Sequence, residues 1–142
     1  MRTKIIGILA IMLLIAPTLS LSVSADGPQL RIKPIDEHNQ LIKFNFYIEN
    51  VGTEESDEVF WDLKLIGGHF FTSRDDKGYL PSLESGSGSL VRSNRIFGLG
   101  RCSIELMCGE VFRDADGNVA VHILHDVQTY DLLVIGFFII IL

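Results

Sequence analysis

Between Leu41 and Glu49 the chain alternates without a break: Ile42, Phe44, Phe46 and Ile48 fall on one face, and Lys43, Asn45, Tyr47 and Glu49 on the other. A repeat of two is the repeat of a strand, one side toward a core and the other toward water, whereas a helix needs spacing near 3.6. Four bulky apolar side chains on one face of a strand must be covered by another layer, so the segment commits the chain to packed sheets. Asn50-Val51-Gly52 ends the run, and the acidic stretch from Glu54 to Glu58 follows as a solvated loop.

The same period recurs along the chain. Val59, Trp61, Leu63 and Leu65 share a face opposite Asp62 and Lys64, and Gly67-Gly68 is expected to turn the chain. His69 to Ser73 is a short strand candidate, halted by the turn-like Arg74-Asp75-Asp76-Lys77-Gly78, and Tyr79 to Leu83 reads as an edge strand because Pro81 lacks an N–H. After the flexible stretch from Glu84 to Ser89, strands are expected at Ser89 to Phe97 and Arg101 to Cys108, separated by Gly98-Leu99-Gly100. Asp114 to Asn118 predicts a hairpin loop, Val119, Val121 and Ile123 begin a last strand, and Leu30 to Ile35 supplies one at the front. The fold class is therefore all-β, an antiparallel sandwich of about seven strands, with no amphipathic helical stretch after the first 25 residues.

Those first 25 residues have a different character. Met1 to Lys4 is basic, Ile5 to Ala16 is an unbroken apolar run, and the segment to Ala25 becomes smaller and more polar, closing on Val23-Ser24-Ala25. This order is that of a signal-peptide helix cut after Ala25, and it implies export to the cell surface or outside by the Sec route. The competing reading is an uncleaved anchor, since Ile5 to Val23 approaches the ~20 residues of a membrane span, although Pro17 and the serines weaken it. The expected domains are a signal peptide at 1–25, a sandwich at 26–131 and an apolar strand or tail at 132–142. Removing Arg2 and Lys4 takes the net charge from −6 to −8. With the remaining basic residues dispersed among carboxylates, nucleic acid is excluded as a partner.

The run Phe44-Asn45-Phe46-Tyr47-Ile48-Glu49-Asn50-Val51-Gly52, followed by an acidic loop, a Trp-bearing strand and a Leu83-Glu84-Ser85-Gly86 turn, carries a resemblance. Over Gln29 to Leu124 the chain resembles the immunoglobulin-like modules of prokaryotic exported cell-surface proteins, those of CARDB type among them. The resemblance implies a non-enzymatic surface module, with no catalytic residues to transfer. Two departures stand out: Ser85-Gly86 replaces the usual Pro-Gly turn, and the apolar tail lies outside the pattern.

No catalytic constellation or cofactor motif is present in the sequence. Asp114, Asp116 and Asn118 have the one-three-five spacing of a calcium loop, but Val119 stands at position six and His125 at position twelve, so a plain hairpin turn is the expectation and a metal only a weak candidate. Cys102 and Cys108 share a strand face. A continuous strand would hold them ~20 Å apart, outside disulfide reach, unless a bulge intervenes at Cys108-Gly109. His122 and His125, three apart, point to opposite faces and do not chelate jointly. Trp61 is expected to pack between the sheets.

Leu132 to Leu142 is apolar throughout, with Gly136 the sole break. As a helix it would reach ~16 Å, about half of a bilayer core. As a strand it would reach ~36 Å, more than a small sandwich can pair, so part should finish the sheet and part should project. Phe137, Phe138, Ile139, Ile140, Ile141 and Leu142 are thus the expected partner contact, whether the partner is another protein, a second copy or a membrane surface. The alternative is an envelope protein anchored by the uncleaved leader, the tail or both.

Overall fold

The computed structural model describes residues 26–33 and 39–142, so the expected signal-peptide helix and the end of the first strand at Ile35 lie outside the described residues. Among those described there are nine strands and no helix: β1 (Leu30–Lys33), β2 (Asn39–Leu41), β3 (Lys43–Asn50), β4 (Glu58–Phe70), β5 (Asp75–Leu80), β6 (Gly88–Arg95), β7 (Gly98–Arg113), β8 (Val119–Gly136) and β9 (Phe138–Ile141). They form two sheets of unequal width, β1-β3-β6 and β2-β9-β8-β7-β4-β5, with every pairing antiparallel.

The alternation at Phe44, Phe46 and Ile48 buries all three against Val59, Trp61, Leu63 and Leu65 of the wider sheet and against Ile104, Leu106 and Cys108 of β7. Trp61 fills the space between sheets as expected, edge-on to Phe46 with centroids 6.0 Å apart. Its indole also lies over the backbone of Gly78, where an added Cβ would come within 2.7 Å of the ring. A larger residue there would force the tryptophan off its site.

Several boundaries differ from the sequence reading, each for a local reason. The run from Leu41 to Glu49 is two strands, because Ile42 adopts φ +71° and swings the chain from the six-stranded sheet into the three-stranded one. Such a φ costs a β-branched residue about 1–3 kcal/mol. Both backbone groups of Ile42 are engaged, its N–H donating to Phe137 O and its carbonyl accepting from Ile96 N, so the kink is held from two sides. Gly67-Gly68 bulges β4 instead of turning it, with both glycines at positive φ and their carbonyls held by the Arg74 guanidinium. Arg74 to Gly78 is no turn: β5 begins at Asp75 and sets Asp75 opposite Lys64 and Lys77 opposite Asp62, so its charges serve as cross-strand pairs on the solvent face. The tail does not project. β8 turns back at Gly136 (φ +63°) and Phe137, a two-residue loop with glycine at its first central position, and β9 slots between β8 and β2.

At the opposite end Asn50 organises the loops. Fully buried, it accepts from Gln29 N and Gly52 N and donates to Glu54 O and Leu83 O, which uses its whole side-chain amide. Asn50→Ala is therefore expected to lower the unfolding free energy by roughly 2–4 kcal/mol, because two donors and two acceptors lose partners. Urea denaturation monitored by Trp61 fluorescence measures it.

Candidate functional site

A polar cluster lies where β8 passes β1. A bulge opposite Cys108 and Gly109 leaves His125 unpaired in the β7–β8 ladder and aims it inward, while His122 faces outward and stacks on Phe60 at 4.7 Å. The two histidines thus lie on opposite faces, as their spacing predicts. His125 Nδ1 accepts from Leu30 N at 3.1 Å, which leaves the proton on Nε2 to face Glu110 Oε1 at 2.9 Å. The second Glu110 oxygen accepts from Asp57 N, and Asp126 Oδ2 accepts from Ile32 N.

A carboxylate–imidazole pair is a common part of catalytic sites, but here both ring nitrogens are occupied by the protein's own groups. The pair has no free nitrogen to take a proton from a substrate. Its work is structural: the outer N–H groups of β1 at Leu30 and Ile32, which a sheet edge would leave open, are bonded by side chains of the facing sheet.

The two cysteines are free and buried, and the bulge at Cys108-Gly109 does not bring them together. Burial, and then the charge of Asp126, pushes the Cys108 thiol up to about 12; burial raises Cys102 as well, against the Arg74 charge. Neither is a ready nucleophile. Asp114, Asp116 and Asn118 form the β7–β8 hairpin turn. The Asp114 carboxylate accepts from the backbone of Asp116 and Asn118, and Gly117 takes the positive φ. Among the described residues no three His, Cys, Asp or Glu side chains converge as a metal site.

The remaining candidate is apolar. Cross-strand pairing places Leu99 opposite Ile135, Ile135 opposite Phe138, and Phe138 opposite Leu41. These four side chains make one row across β7, β8, β9 and β2 on the outer face of the wide sheet, and they are 58%, 49%, 61% and 55% exposed. At the adjoining pole Phe71 (80% exposed) stacks on Phe97, and Phe97 on Phe137, at 5.6 and 4.6 Å. The backbone holds this stack in place, with Phe71 N bonded to Phe97 O and Ile42 N to Phe137 O.

Of the six tail residues expected at a contact, Phe137 and Phe138 join this surface. Ile139 is wholly buried, Ile140 and Ile141 are half-buried, and Leu142 is exposed elsewhere, bonded through its N–H to Asp131 O. Sequence reading missed Leu41, Leu99, Ile135 and Phe71. Leu99 sits between two glycines and reads as a turn, and Leu41 reads only as the first residue of a half-buried strand. No family model, curated protein or solved structure matches the chain.

Two measurements follow. His125→Ala strands the buried Glu110 carboxylate and the Leu30 amide, so it should cost about 1–3 kcal/mol and speed hydrogen exchange at Leu30. Because the Cys108 thiol is held above its ordinary value of 9.0, its contribution is complete below pH 9 and drains away as the pH rises toward about 12. Stability measured from pH 8 to 11 should fall less steeply in Cys108→Ala than in the parent protein.

Proposed function

We propose that this chain is an exported, non-enzymatic binding or structural module, surface-attached or secreted and of adhesion-related type, which meets its partner at the pole where Phe71, Phe137 and Phe138 are gathered. The observation that carries the reading is the exposed row Leu41, Phe138, Ile135 and Leu99, four neighbouring apolar side chains on four strands. Together they expose on the order of 400 Å² of apolar surface, within the range of the largest patch on a typical monomer, a patch that is often functional. The tail contributes to that surface by folding back into the sheet.

The immunoglobulin-like character rests on strand order. With β2 and β9 set aside, three strands, β1-β3-β6, face four, β8-β7-β4-β5, an arrangement that differs from the constant-type immunoglobulin pattern by one edge strand changing sheets. The tryptophan on β4, packed between the sheets, occupies the third strand of the seven, where that fold keeps its core tryptophan. The CARDB-type resemblance adds the surface location, and the leader adds the export route.

Expressed in cells that export it, the protein should carry Asp26 at its N-terminus by intact mass and remain with the cell envelope, whereas Leu99→Ser with Phe138→Ser should pass into the medium. Equal distribution of the two proteins removes the pole as the contact. A product retaining Met1 in the membrane pellet transfers attachment to the leader.

A further inference from the structure

The apolar pole also gathers four of the ten lysines and arginines that follow residue 25. Among the described residues, 41–43, 67–74, 95–101 and 135–138 build it and include Lys43, Arg74, Arg95 and Arg101 and no carboxylate, in a chain whose net charge is −6. Nearby, Asp76 accepts from Asn94 N beside Arg95, and Asp131 lines a cleft with Arg101. All four are exposed, and among the described residues none is in an ion pair. Arg101 projects from the outer face of β7, two residues along from Leu99. Arg74 lies over the Phe70 ring at 5.1 Å while bonding the two glycine carbonyls.

Lys43 and Arg95 are directly opposed in the β3–β6 ladder, a like-charge pair that opposes the pairing of those two strands. The far pole is the reverse. Asp26, Glu54, Glu55, Asp57, Glu58 and Glu84 cluster in the loops around Asn50, and Arg113 there is paired with Glu58 at 2.7 Å.

Resting on the reading of this pole as the contact, we infer that its partner is an anionic lipid surface. Exposed phenylalanine and leucine at a tip, ringed by lysine and arginine, match the two layers of a bilayer interface: acyl chains accept the rings and negatively charged headgroups accept the cations. Phe71, the most exposed large apolar side chain among the described residues, stands at the end of the sheets with its backbone tied to Phe97. It enters a fluid phase without needing a shaped pocket opposite. The headgroups supply a counter-charge that Lys43 and Arg95 do not find among the described residues. The acidic pole lies at the other end of the strands, so its carboxylates are the ones least able to oppose docking.

Binding of purified full-chain protein to vesicles of phosphatidylcholine alone, and of equal parts phosphatidylcholine and phosphatidylglycerol, tests this directly. The apolar leader is common to every variant and cancels in the comparison. The parent protein should prefer the anionic vesicles, more so at low salt. Lys43→Ser with Arg95→Ser should weaken that binding on the order of tenfold while leaving the phosphatidylcholine baseline unchanged. Phe71→Ser should weaken binding too. The melting temperature of Lys43→Ser with Arg95→Ser should equal or exceed that of the parent, since the like-charge pair is relieved, which separates lost binding from lost folding.

Equal binding to both vesicle types, or undiminished binding by the charge variant, overturns the inference. Light scattering that shows a dimer abolished by Phe71→Ser, without vesicle preference, also overturns it and assigns the pole to a second copy. In either case patch-dependent retention in the envelope still holds the contact reading, and loss of that retention would fail the contact reading itself.

Discussion

Everything in this molecule depends on covering the inner face of a six-stranded sheet with a sheet half as wide. β1, β3 and β6 bring Leu30, Ile32, Phe44, Phe46, Ile48 and Val91 to that interface, and Trp61 bridges the layers. On the uncovered side the chain closes the gap with its own kink. At Ile42 it leaves the wide sheet and folds over as β3, so that Gln40, Ile139 and Val134 are buried although the narrow sheet has only three strands. The strain at Ile42 is the cost of that cover, and its two backbone hydrogen bonds hold it.

The narrow sheet leaves edges that must be sealed. On one flank His125 and Asp126 of β8 accept the free N–H groups of β1; on the other, Asp76 of β5 accepts from Asn94 of β6 at 2.6 Å. Each flank is therefore closed by a polar side chain of the wide sheet bonding backbone of the narrow one. This accounts for the imidazole–carboxylate pair of His125 and Glu110 as part of that closure. It also explains Gln40, whose amide bonds both N and O of Asn45 like a missing strand partner. His125, Asp126, Asp76 and Gln40 thus act as edge closures.

The same economy leaves the two poles unlike each other. Around Asn50 the loops are small, polar and acidic, knitted by one buried amide. Around Ile42 four connections from both sheets meet, and among the described residues no third layer covers their aromatic side chains. Phe71, Phe97 and Phe137 stack on one another, and the row from Leu41 to Leu99 faces outward. An apolar surface built on so many backbone hydrogen bonds is held in one shape, which suits a contact surface.

Much of the architecture was legible as period two, because alternate burial on a strand is written in adjacent residues. Phe44, Phe46 and Ile48, the Trp61 face and the Cys102 to Cys108 face all lie inward as their spacing requires, and Asp114 to Asn118 turns as its residue types require. Glycine and charge were the weak signals. Gly67-Gly68 and Gly98-Leu99-Gly100 look like turns, yet each sits within a strand whose partner fixes it, and Asp75 to Lys77 looks like a loop until Asp62 and Lys64 stand across from it. Which face of a strand meets a core is therefore determined by sequence alone. Which strands are neighbours, where Leu41, Phe138, Ile135 and Leu99 line up, and that Lys43 meets Arg95 were decided only by the tertiary fold, since register between distant segments is a property of the pairing and of no single stretch of chain.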